Sequence, residues 1–297
     1  IFLVNLPIGI AVALATLRLV PGTRKPFEGR LDVAGATSVT LALTLAIYAI
    51  VHGNEAGWTS PATLGVLAAA LGLLAMFLVI ESRVASPLIP LGLFRHRNLS
   101  MASLIGVLWC AAMFAWFFIS ALYMQLVLAY TPMQIGLAFL PANVIMAVFS
   151  LGLSAKIVMR FGIRRPLAAG LWLAAIGLAL IARAPGDGRF AIDVLPGVLL
   201  LGLGAGMAFN PLLLAAMSEV SPSESGLASG VVNTAFMMGG ALGLAVLASI
   251  AAAQTGSMLA AGASTPLALT GGYQMAFLVG AVFAAVAGLL GALLLRS

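Results

Sequence analysis

Apolar runs of about twenty residues alternate along the chain with short polar segments that hold nearly all of its charge. A run of that length crosses the ~30 Å hydrocarbon layer as a helix, and in lipid it has to be helical because each backbone amide must find its partner within its own segment. Nine such runs can be read, at 1–20, 33–51, 62–80, 99–127, 134–158, 166–182, 194–217, 226–252 and 273–295. They predict an all-α polytopic membrane protein with about nine transmembrane helices. A membrane barrel would instead show alternating segments of about ten residues with a polar lumen face, and no such pattern is present.

Composition agrees with this solvent. Hydrophobic residues make up 63% of the chain and charged residues 7%, against roughly a quarter charged in a soluble domain. The lone cysteine, Cys110, falls inside a run, and His52 and His96 fall at run ends, so neither an internal disulfide nor a Cys/His metal cluster can be built. The net charge of +6 does not point to nucleic acid, because the basic residues sit in loops beside the runs, where they set orientation. Arg18, Arg24, Lys25, Arg30, Arg83, Arg95, Arg97, Lys156, Arg160, Arg164, Arg165 and Arg296 all fall on one side of the nine-span topology, and only Arg183 and Arg189 on the other. The rich side is therefore expected in the cytoplasm, with the C-terminus, and Ile1 outside. Because no Met, basic leader or signal-peptide pattern opens the chain, it is expected to be the C-terminal portion of a longer one.

Two run entries resemble each other: Thr131-Pro132-Met133-Gln134-Ile135-Gly136-Leu137-Ala138 and Ser221-Pro222-Ser223-Glu224-Ser225-Gly226-Leu227-Ala228. Each reads as a hydroxyl N-cap, a proline at the first helical position and Gln or Glu closing a capping box. They lie on opposite sides three runs apart, the arrangement inverted three-helix repeats require; two ordinary helix starts are the alternative. The organisation read from this is one helix at 1–20 ending an N-terminal bundle, a cytoplasmic linker with a two-helix insert at 21–98, and a six-helix bundle at 99–297. Small residues four apart, Gly202 with Gly206, Gly226 with Gly230 and Gly239 with Gly243, permit close helix approach, for sliding during transport or for static packing.

Several segments carry a family resemblance in order. Phe2-Leu3-Val4-Asn5-Leu6-Pro7-Ile8-Gly9 is followed by Asp32-Val33-Ala34-Gly35, Gly57-Trp58 and Pro87-Leu88-Ile89-Pro90-Leu91-Gly92-Leu93-Phe94-Arg95. Later come Gln134-Ile135-Gly136-Leu137 with Leu140-Pro141, and Ser229-Gly230-Val231-Val232-Asn233-Thr234 with Gly239-Gly240-Ala241-Leu242-Gly243. Together these resemble the fourteen-span drug:proton antiporter branch of the major facilitator superfamily, from about its sixth span onward. The resemblance implies the major facilitator fold and export of hydrophobic or amphipathic compounds by alternating access. It implies a proton gradient as energy source with no cofactor, and as partners the lipid bilayer and the N-terminal helices of the same transporter. Where the family often has Arg-Gln after the Asn-Thr, this chain has Phe236-Met237, which puts a polar gating contact there in doubt. The acidic residues Glu28, Asp32, Glu55, Glu81, Asp187, Asp193, Glu219 and Glu224 lie in loops or at run ends, so no proton relay is evident within a span.

The candidate site residues follow. Trp109, Met113, Trp116, Ser120 and Tyr123 recur at helical spacing and form a large aromatic stripe, read as a substrate pocket or as packing. Asn143, Asn210 and Asn233 are amides at membrane depth, expected to face the bundle interior or a water-filled cavity; interhelical hydrogen bonds are the alternative. Asn143 and Asn233 each follow a repeat glycine by seven residues, and Met237 lies one turn beyond Asn233. The loop Arg160-Phe161-Gly162-Ile163-Arg164-Arg165 is similar to a degenerate copy of the superfamily's loop motif. Arg160, Gly162, Arg164 and Arg165 are thus gate candidates, with topology-setting charge as the alternative. No cluster of catalytic side chains at either membrane face supports an enzyme. Metabolite carriage and a non-functional fragment stay open beside drug efflux.

Overall fold

The computed structural model describes residues 5–19, 32–84, 87–222 and 224–295. The expected features at Phe2-Leu3-Val4, at Arg24, Lys25, Glu28 and Arg30, at Ser223 and at Arg296 lie outside the described residues. The regular structure of the rest is helical: α1 (Asn5–Leu19), α2 (Val33–Ala56), α3 (Pro61–Arg83), α4 (Arg97–Leu122), α5 (Pro132–Val148), α6 (Ser154–Phe161), α7 (Arg164–Ile181), α8 (Leu195–Met217), α9 (Ser225–Ala260) and α10 (Thr265–Leu294). Among the described residues eight spans are long and apolar enough to cross a membrane, α5 and α6 counting as one, and α1 is a shorter apolar helix.

Local chemistry sets the starts. Asp32 caps α2, accepting the Gly35 N–H at 2.8 Å, and Ser60 caps α3, whose first residue is Pro61. Thr131 and Gln134 close a reciprocal capping box at α5. The equivalent at the second repeat start does not form. There the Ser221 hydroxyl bonds the Glu224 carboxylate at 2.7 Å, closing a turn, and α9 begins only at Ser225. Gly152, with φ of 144°, breaks the helix between α5 and α6, a conformation side chains with a Cβ rarely adopt.

The last two helices are longer than the apolar runs indicate. α9 continues to Ala260 and α10 starts at Thr265, so the polar stretch between them is helical except for a short turn. The thirty-six residues of α9 extend about 54 Å, well past the hydrocarbon layer. Hydropathy ends where Gln254, Thr255 and Ser257 begin, whereas helical hydrogen bonding does not.

α4, α5, α7, α8, α9 and α10 form one bundle. α4 packs on α9, α7 on α8, α5 on α8, and α10 against α4, α7 and α9. Glycines set the approach. A Cβ at Gly239 would stand 2.5 Å from Val107 Cα, one at Gly202 2.8 Å from Ala142 Cα, and one at Gly170 2.7 Å from the Gly204 carbonyl. The α2–α3 hairpin docks beside this bundle on α9. Asn54 donates to the Ser249 carbonyl at 2.7 Å and to its hydroxyl at 2.8 Å, and accepts the Trp58 indole N–H at 2.8 Å. α1 buries none of its residues.

Contacts tie the helix ends into two opposite faces. At the face rich in Arg, the Glu219 carboxylate after α8 accepts the Asn98 N–H of α4 at 3.0 Å, and Arg164 of α7 donates to the Ala292 carbonyl of α10. At the other, the Tyr123 hydroxyl donates to the Pro185 carbonyl at 2.6 Å and Gln274 of α10 to the Ala184 carbonyl at 3.0 Å.

Candidate transport face

The aromatic stripe of α4 points inward. Trp109, Trp116 and Tyr123 are each at most 2% exposed, and only Met113 on that stripe is half-buried. Trp116 packs on Phe117 at 4.3 Å and edge-on to Phe139 of α5 at 5.8 Å between ring centroids. Tyr123 spends its hydroxyl on Pro185. An accessible pocket wall is therefore not what these three rings form in this structure. They fill the space where α4 meets its neighbours, because on this side α4 is packed by α9, α10 and α8, with Phe139 of α5 against Trp116.

The amides lie on more open surfaces. Asn143 and Asn233 are exposed, not turned into the bundle, and make no hydrogen bond among the described residues. Asn210 is half-buried and lines a groove of about 290 Å³ between α5 and α8 with Met146, Ser150, Gly206 and Phe209. Met237 is 46% exposed, one turn along α9 from Asn233.

These residues belong to two continuous stripes. On α5, Gly136, Leu140, Asn143 and Ala147, continued by Ser150 just past its end, line one side, all exposed; on α9, Gly226, Ser229, Gly230, Asn233, Thr234 and Met237 do the same. The glycines separate into two populations here. Cβ atoms at Gly202, Gly206, Gly239 and Gly243 would collide with neighbouring helices, whereas those at Gly136, Gly226 and Gly230 would meet nothing within 4 Å. The colliding glycines pack this bundle, and the open ones face away from it. Exposed asparagines with glycines one or two turns away are costly against lipid, since an unpaired amide in hydrocarbon lacks a partner. Such a face is suited to water or to another helical body that approaches closely. Ser229 and Thr234 were not singled out from the sequence, although Ser229 precedes Asn233 by one turn.

The gate candidates cluster at the Arg-rich face. Gly162, with φ of 75°, ends α6 and donates its N–H to the Val158 carbonyl at 2.8 Å. Arg164 binds the carbonyl end of α10, where the helix dipole favours a cation. Arg160 lies over the Phe161 ring at 5.4 Å, and Arg160 and Arg165 are exposed. A cavity of about 600 Å³ is lined by Phe161, Gly162, Arg164, Arg165 and Ala292. Arg164 is thus a strap within the bundle, while the other two arginines stay free to meet something outside it.

The family model described as Major Facilitator Superfamily matches residues 1–244. The chain belongs to that superfamily. Among its superfamily relatives, a puromycin resistance protein of Streptomyces alboniger is 33% identical over 284 residues, covering 95% of this chain and 56% of the relative. A cephamycin export protein of Amycolatopsis lactamdurans is 35% identical over 287 residues, covering 95% and 57%. The multidrug resistance protein Stp of Mycobacterium tuberculosis is 32% identical over 255 residues, covering 85% and 47%. The chain spans about half the length of these major facilitator relatives.

Proposed function

We propose that this chain is the half of a drug exporter that presents the α5 and α9 stripes to a second helical bundle, the two enclosing a path for hydrophobic or amphipathic compounds. The observation that carries the reading is the uncovered face itself, where Asn143, Gly226, Gly230, Asn233 and Met237 lie open on a bundle in which Gly202, Gly206, Gly239 and Gly243 are tightly packed. The relatives' names, puromycin resistance, cephamycin export and multidrug resistance, support efflux as the direction. Alternating access then places substrate near the membrane midplane between the bundles, with Met113, Asn210, Asn233 and Met237 as wall residues. Under this reading export is driven by proton entry, the protein sits in the plasma membrane and the Arg-rich face is cytoplasmic.

The test uses everted vesicles with an acidified interior and a fluorescent lipophilic cation. The transporter that contains this chain is expected to move the cation inward, saturably, with loss of movement on adding a protonophore, and residues 1–297 alone are expected to show no movement. Asn233→Ala and Met237→Ala are expected to shift the relative uptake of different compounds. Movement unaffected by the protonophore would overturn proton coupling, and uniform indifference to both substitutions would remove the α9 stripe from the path.

A further inference from the structure

Where α6 ends, α7 begins and α10 finishes, the Arg-rich face holds a cavity of about 600 Å³ whose walls include Phe161, Ile163, Arg164, Arg165, Ala168 and Ala292. That volume suits a small molecule or a headgroup and is large for a single ion. Its charge is one-sided. Arg165 is exposed and, among the described residues, has neither a hydrogen bond nor an ion pair; Arg160, also exposed, only overlies the Phe161 ring of the cavity wall. Lys156 is exposed one turn before Arg160. α6, α7 and α10 contain no Asp or Glu, so the helices around the cavity offer these cations no carboxylate. On the same face Glu219 is engaged by the Asn98 amide and Glu224 by the Ser221 hydroxyl.

The position of the arginines adds to the imbalance. Arg164 and Arg165 are the first two residues of α7, at the positive end of the helix dipole, and Ile163 before them supplies no side-chain cap. Arg164 escapes by reaching the carbonyl end of α10. Arg165 has no such outlet, and an anion in the cavity relieves its charge. The neighbouring surface indicates what carries that anion. One turn along α7 from Ala168 stands Trp172, and one turn back along α10 from Ala292 stands Leu289, both exposed. The two helices touch at this level, a Cβ at Gly288 falling 3.2 Å from Trp172 Cδ1. An exposed apolar track thus leads from the cationic cavity toward the membrane interior, and Met159 and Phe161 expose further apolar surface among the basic side chains. Cations at the end of an apolar track match a phosphate that carries acyl chains, whereas a free anion makes no use of the track.

We propose that this cavity binds the headgroup of an anionic phospholipid, its phosphate held by Arg165 and Arg160 and its acyl chains lying along Trp172 and Leu289. The bound lipid joins the start of α7 to the end of α10 beside the Arg164 contact and so stabilises that corner of the bundle. The site needs only that the Arg-rich face borders a bilayer, and it stands apart from the efflux reading.

The experiment follows thermal unfolding of the detergent-purified transporter that contains this chain, titrated with phosphatidylglycerol, phosphatidylcholine or water-soluble glycerol phosphate. Phosphatidylglycerol is expected to raise the midpoint saturably, phosphatidylcholine much less and glycerol phosphate not at all. Arg160→Gln combined with Arg165→Gln is expected to raise the half-saturating phosphatidylglycerol concentration about tenfold, as the loss of two cations beside a lipid surface implies. Ala168→Leu keeps every charge but fills the cavity, and is expected to weaken the lipid response as well. Arg183→Gln combined with Arg189→Gln removes the same charge from the opposite face and is expected to leave the response unchanged. Should the Arg160 and Arg165 double variant fail to fold, Ala168→Leu decides alone. An Ala168→Leu response equal to that of wild type overturns the proposal, as does a loss of response in the opposite-face variant or no response in wild type. Glycerol phosphate acting as strongly as phosphatidylglycerol also overturns it, and assigns the cavity to a free phosphate.

Discussion

Replacing Gly243 by Val puts a number on the role of glycine at the α4–α9 crossing. A Cβ there would lie 2.1 Å from the Ala111 Cβ and 2.4 Å from its Cα, and the same helix meets Val107 Cα at 2.5 Å one turn earlier, at Gly239. Carbon atoms rest about 3.5–4.0 Å apart, so α9 has to withdraw by about 1.5 Å, and a gap of that order forfeits much of the dispersion energy along the crossing. Val and Gly differ by only a few tenths of a kcal/mol in helix propensity, in favour of Val, so backbone preference offsets little of the loss. Overpacking of this kind costs about 1–3 kcal/mol, and the collision is with backbone that cannot swing aside, so the upper part of that range applies. Gly230→Val is the matched control, on the same helix with nothing within 4 Å of its Cβ. Fluorescence-detected size exclusion after stepwise heating in mild detergent is the assay. Gly243→Val is expected to lose its monodisperse peak several degrees below wild type, and Gly230→Val to track wild type. Equal behaviour of the two variants would refute the division of glycines into packed and open sets.

Two further outcomes follow from the same geometry. With Cys110 buried, background labelling is low, so cysteines at Thr59 and Ala261 are expected to react with an impermeant maleimide on intact cells and those at Arg165 and Glu224 only after permeabilisation; reversal at any one site breaks the topology. Tyr123→Phe removes the 2.6 Å bond to Pro185 and is expected to cost about 1 kcal/mol in the heating assay while leaving the compound profile unchanged; a changed profile with intact stability would return the α4 stripe to the substrate path.

Some features are legible in local chemistry. The capping box at Thr131 forms because its two donors and acceptors lie within four residues of each other, and the Arg-rich loops segregate because each borders a run whose direction is set by the count before it. At the second start the Ser221 hydroxyl also bonds the Glu224 side chain, but the helix begins only at Ser225, past both capping groups. Glu81 reads as an ordinary charge at a run end, and its burial appears only in the folded chain, where the Ile89 amide of the following segment donates to its carboxylate.

The apolar runs by themselves determined the solvent, the helical class and the approximate number of spans, and the motif segments in their order carried the resemblance to the family, since each rests on length, composition or order along the chain. Which side of each helix turns inward belonged to the tertiary structure. A soluble helix announces its buried face by the contrast between apolar and polar sides, but a helix made for lipid is apolar all round and carries little of that contrast. Trp116 and Met237 are therefore alike in sequence terms, both large, apolar and mid-span. Only the packing of α9, α10 and α8 around α4 buries the first, and only the open flank of α9 exposes the other. Gly230 and Gly243 divide for the same reason: glycine permits close approach, but whether anything approaches depends on where the other helices lie.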